Sequence, residues 1–153
     1  MRHFPLLSLA AASLLAADLT LDTLSVTDSR IERPTSQVPQ AVDVISAQAI
    51  ENLKMTNISQ ALKGNPGVLA ESKNGGYDVR LVIRGAGLKA PYGVREIMVL
   101  RDGVPMTDPD SLTRFDFVDL EDVKSIEIVK GPGSLYSAGS YGGTIHIRSK
   151  SVF

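Results

Sequence analysis

Ile126-Glu127-Ile128-Val129-Lys130-Gly131-Pro132-Gly133-Ser134-Leu135-Tyr136-Ser137-Ala138-Gly139-Ser140-Tyr141-Gly142-Gly143-Thr144-Ile145-His146-Ile147-Arg148 is the longest stretch of this chain with one consistent pattern. Residues 126–130 and 144–148 are short, Ile-rich runs, and each reads as a strand. Between them lies a Gly- and Ser-rich loop over 131–143. A strand followed by such a loop is how a phosphate cradle opens. The Gly-Lys-Ser/Thr ending is missing, however, and no long helix follows to supply a dipole. The loop therefore reads as a compact connection whose small residues let backbones pack closely.

Further short elements are legible upstream. Residues 41–45 read as a strand, and Ser46 is placed to cap a short helix running to Leu53. Asn57 is placed to cap a second helix over 58–63, with Ile58, Ala61 and Leu62 on one face. The run Gly64-Asn65-Pro66-Gly67 stops it. Residues 68–70 form a short strand, 73–78 a turn or loop, and 79–84 a half-buried strand of alternating apolar and basic residues. Residues 97–100 and 104–106 flank Asp102-Gly103, a pair that supplies the positive φ a tight turn needs. Asp119 is placed to cap a single helical turn over 120–123. No internal repeat is present. The expectation is an α+β fold: a small mixed β-sheet with short helices and long loops.

Composition narrows the function. The chain has 153 residues, one domain by length. Its 43% hydrophobic content suffices for a packed core. A net charge of −1 gives no electrostatic footprint for nucleic acid. Aromatic residues make up 5%, with no Trp, too few for stacking platforms. There is no Cys, so no disulfide, thiolate metal site or Cys nucleophile is possible.

The N-terminal Met1-Arg2-His3 precedes an apolar run over 4–17 that ends in Ala16-Ala17. A basic start, a short apolar core and small residues at its end fit a secretory signal peptide over 1–17. No segment reaches the ~18 apolar residues of a spanning helix. The strands are fewer than the roughly eight that a transmembrane barrel needs.

Catalysis finds little support. His3 lies in the leader, and His146 reads as a surface or pairing polar residue of an alternating strand. No nucleophile elbow is present. The carboxylates Asp108, Asp110, Asp116, Asp119, Glu121 and Asp122 lack the spacing of an EF-hand and read as a solvated loop and a helix cap. Neither a cofactor nor a resident metal is expected, and the chain does not read as an enzyme.

Several segments together carry a resemblance. They are residues 62–68 with Pro66-Gly67-Val68, then Ile83-Arg84-Gly85, then 99–105, and finally 126–147. In the last, Ile126-Glu127, Gly131-Pro132, Ser134, Leu135-Tyr136 and Gly142-Gly143 occur in order. This set resembles the plug domain of TonB-dependent outer-membrane receptors. Asp22-Thr23-Leu24-Ser25-Val26-Thr27 is similar to that family's TonB box, and it follows the leader as expected. Extended, it puts Leu24 and Val26 on one side and Thr23, Ser25 and Thr27 on the other. The resemblance covers residues 22–149. Two steps depart from the family: Ser137 stands where Gly is common, and Lys130 where Arg is usual.

The resemblance implies a plug over 41–149, preceded by a flexible segment over 18–40 that bears the TonB box. It implies a surrounding β-barrel of ~22 strands in the outer membrane, with the N-terminus in the periplasm. TonB, working with ExbB and ExbD, would grip the box by strand addition and gate the pore. The ligand would be a ferric siderophore, haem or a cobalamin, a metal chelate met by Lys73, Asn74, Tyr77, Asp108 and Asp110 on loops 72–78 and 106–113. Arg84 and Lys130 would face acidic residues of the barrel wall, with Lys130 lacking the bidentate geometry of Arg. Residues 150–153 would begin the barrel or mark a truncated end, making the chain a receptor fragment. The alternative expectation is a stand-alone periplasmic plug-like protein that binds a metal chelate.

Overall fold

The structure is a computed structural model that describes residues 24–25, 33–72, 78–90, 94–108, 113–132 and 140–151. In chain order its elements are β1 (Leu24–Ser25), β2 (Arg33–Pro34), a 3₁₀ turn (Thr35–Gln37), β3 (Ala41–Ser46), α1 (Ala47–Asn52), α2 (Ile58–Leu62), β4 (Val68–Ser72) and β5 (Val79–Ile83). They continue with β6 (Ile97–Arg101), β7 (Val104–Pro105), a second 3₁₀ turn (Leu120–Asp122), β8 (Val123–Lys130) and β9 (Gly143–Ser149).

A five-stranded sheet in the order β3-β8-β9-β6-β7 forms the centre. Only β6 and β9 pair in parallel; the other neighbours are antiparallel, so the sheet is mixed. β4 and β5 form a separate antiparallel hairpin, and β1 pairs with β2. The expected α+β class is what this chain adopts.

Register decides which side chains meet. Ile45, Ile126 and Ile147 stand opposite one another, as do Ile128, Ile145 and Val99. All of them join the apolar core with Ile50 of α1, Ile58, Ala61 and Leu62 of α2, and Leu81 and Ile83 of β5. Each Ile, Leu or Val among them contributes roughly 1.5–3 kcal/mol when fully buried, so the inner face of β8 and β9 anchors the fold. The reverse face carries the row Val44, Glu127, His146 and Leu100. Two buried polar side chains in that row make it the less ordinary face.

The short helices start where their caps allow. Ser46 Oγ accepts from the Ala49 amide and Asn57 Oδ1 from the Gln60 amide, each supplying an acceptor to an otherwise orphaned donor. Asp119 does the same for Glu121. Asp102 and Gly103 both have positive φ, 49° and 83°, which lets β6 double back into β7. Several boundaries differ from expectation by one or two residues, and one by three. β8 begins at Val123 rather than Ile126, because β9 is long enough to pair with it through a bulge between Val123 and Ser125.

Candidate functional site

Three of the motif segments, 62–68, 83–85 and 126–147, meet at one end of the sheet. Arg84 follows β5 with φ 49°, and its amide donates to the Gly67 carbonyl at 3.0 Å. Ile83 and Ala86 close the turn with reciprocal amide–carbonyl bonds of 3.1 and 2.9 Å. The Glu96 carboxylate accepts from the Gly87 amide at 2.8 Å, while its carbonyl accepts from the Gly142 amide at 2.9 Å. Gly131 in turn donates to the Gly142 carbonyl at 3.0 Å. Residues 67, 83–87, 96, 131 and 142 thus form a single clasp.

Two glycines are required by that closeness. A Cβ on Gly142 would lie 2.2 Å from the Ala86 methyl. One on Gly87 would lie 2.3 Å from the Leu81 carbonyl oxygen, and Gly87 also has φ +88°. A side chain at either place forces backbones apart. This is the physical reason for glycine at those two steps.

The clasp brings Arg84 and Lys130 together. Arg84 Nη1 lies 3.4 Å from the Lys130 carbonyl, and Arg84 itself is exposed. Lys130 is buried, at 7% exposure, and its ammonium forms an ion pair with Asp43 Oδ2. Asp43 stands opposite Ile128, so it reaches Lys130 along the diagonal of the β3–β8 ladder. Of these two cations, Arg84 is exposed and Lys130 pairs with a carboxylate of this chain. Sequence reasoning missed Asp43 and Glu96. Asp43 carried a usable signal: alternation places it on the face of Ile45, an apolar face where a carboxylate needs a partner. Glu96 carried none, since its backbone bond to Gly142 depends on contact between distant segments.

The other expected site residues divide by location. Asp108 is exposed, just after a bridge in which Thr107 and Thr113 pair and their hydroxyls approach to 3.0 Å. Lys73, Asn74, Tyr77 and Asp110 lie outside the described residues, as do Asp22, Thr23, Val26 and Thr27. Leu24 and Ser25 are described, and they pair antiparallel with Pro34 and Arg33. A cavity of about 460 Å³ lies elsewhere, lined by Ile50, Met55, Leu120, Lys54, Glu121 and the Glu51–Lys150 ion pair. None of the expected site residues lines it.

His146 is buried, not a surface residue. It stands opposite Glu127, which is 1% exposed and bound to Arg148 through a 3.0 Å Nε–Oε1 contact. Burial, reinforced by the Arg148 charge, lowers its pKa from 6.5 to about 4, so the ring is neutral at pH 7. Among the described residues, no group of three or more His, Cys, Asp or Glu could hold a metal ion.

Comparison with known proteins supplies the context. The family model of the TonB-dependent receptor plug domain matches residues 34–144. The vitamin B12 transporter BtuB of Vibrio vulnificus is 30% identical over 95% of this chain and 25% of its own length. The hemin receptor of Yersinia pestis is 34% identical over 81% of this chain and 18% of its own. Among solved structures, the siderophore receptor PirA from Acinetobacter baumannii superposes with a TM-score of 0.57 at 27% identity, over 73% of this chain and 17% of that one. The chain spans a quarter or less of the length of these relatives.

Proposed function

Because this chain belongs to the TonB-dependent receptor plug domain family, we propose that it is the plug of an outer-membrane receptor that imports a scarce nutrient. The match over residues 34–144 carries the reading. The convergence of residues 67, 83–87, 96, 131 and 142 into one clasp supports it, since these come in part from three of the four segments on which the resemblance rests, 62–68, 83–85 and 126–147. The relatives are transporters and receptors, which supports a role in binding and gating rather than catalysis.

In this reading the plug sits inside a β-barrel in the outer membrane, with its N-terminus in the periplasm. The ligand is a ferric siderophore, haem or a cobalamin. Loops 72–78 and 106–113 face it, through Lys73, Asn74, Tyr77, Asp108 and Asp110. Arg84, exposed beside the clasp, is the cation best placed to meet an acidic residue of the wall. Residues 22–27 are the handle for TonB, energised by ExbB and ExbD. Leu24 and Ser25 are extended and, among the described residues, pair with Pro34 and Arg33, a geometry compatible with exchange for a partner strand.

The test uses Leu24→Pro. A proline removes an amide and blocks ladder pairing at the centre of the handle. Binding of the full-length variant to the TonB C-terminal domain should fall at least tenfold. Unchanged binding would remove the handle from residues 22–27.

A further inference from the structure

We propose that Asp43 is the clasp of a releasable edge strand, holding β3 to β8 through the Lys130 ammonium until the chain is pulled from its N-terminal side. The inference rests on the reading of residues 22–27 as a handle. Its structural basis is independent of that reading.

Among the described residues, β3 is the outermost strand on its side of the sheet and pairs with β8 alone. It contributes a single buried side chain, Ile45, whereas β8 buries Val123, Ile126, Glu127, Ile128, Val129 and Lys130. Apolar burial therefore holds β3 weakly compared with its neighbour. The chain joins the sheet at Ala41, directly opposite Lys130. Tension from any point upstream reaches the Ala41–Lys130 and Val42–Val129 pairs before the rest of the ladder. Asp43 lies one step further in, and its carboxylate reaches back across the strands to Lys130. The ion pair thus spans the part of the ladder that tension loads first.

Removing that carboxylate has an asymmetric cost. Lys130 is 7% exposed, and Asp43 30%. With Asp43 neutralised, the ammonium stays buried without the one carboxylate that pairs with it among the described residues. Opening β3 hydrates Lys130, so the variant favours the opened strand. β8, β9 and β6 stay bound to one another through the isoleucine rows, and the loss stays local.

Hydrogen exchange on the full-length protein, without TonB, tests this. In the wild type, the β3 amides bonded to β8 should exchange faster than the paired amides of β9. Asp43→Asn should raise β3 exchange on the order of tenfold, with β9 and β6 unchanged. Asp43→Glu, which keeps the charge, should restore most of the protection. Equal protection of β3 and β9 in the wild type would overturn the proposal, and that comparison needs no variant. So would unchanged β3 exchange in Asp43→Asn, or a rise shared by the whole sheet. Because TonB is absent, failure of the clasp and failure of the handle are separate results.

Discussion

His146 shows how one side chain reports the reverse face of the sheet. Its neutral ring stands opposite Glu127, with Arg148 two residues along the same strand. Its pKa of about 4 lies below the 6.5 of an unfolded histidine, so between those values the unfolded chain binds the extra proton. Stability is therefore fully present above about pH 6.5 and falls as pH drops towards 4, by up to about 3 kcal/mol. His146→Gln removes the titrating group. Denaturant midpoints should then show a shallower slope across that window than the wild type. Identical slopes would mean that carboxylates account for all of the acid sensitivity.

At the scale of elements, the two helices are too short to be stable alone. α1 has six residues and α2 five, well under the length at which isolated helices persist. Packing and caps hold them. Asn57 accepts from Gln60 at 3.0 Å and also from the Ser59 hydroxyl at 2.8 Å, while Ser46 accepts from Ala49 at 3.3 Å. Asn57→Ala should cost about 1 kcal/mol, and Ser46→Ala less, since its single bond is longer. Equal midpoint shifts in denaturation would show that the Asn57–Ser59 contact contributes nothing. Asp102 makes a comparable tie between elements, accepting from the Ser149 amide at 2.9 Å and its hydroxyl at 2.7 Å. That carboxylate fastens the end of β9 to the β6–β7 turn.

For the whole molecule, the decisive question is what surrounds this sheet. A plug inside a barrel implies a native polypeptide about four times the length of this chain, as in the Vibrio relative. An antibody raised against residues 41–149 should detect a band of that size in the outer-membrane fraction of cells. A band of this chain's own size in the soluble periplasm would instead indicate a stand-alone binder, and the gating mechanism would be withdrawn.

Local chemistry was legible without coordinates. Short apolar or alternating runs marked β3, β5, β6 and β9, Ser46, Asn57 and Asp119 marked the starts of helical turns, and Asp102-Gly103 marked the reversal, because each depends on neighbours a few residues apart. The segments 62–68, 83–85, 99–105 and 126–147 were enough to indicate the family. Tertiary structure alone decided that Lys130 faces Asp43, that Glu96 binds both Gly87 and Gly142, and that His146 is buried opposite Glu127. The reason is register. Which residue lies across a ladder depends on how distant strands align, and a one-residue slip would exchange the polar row for the isoleucine row.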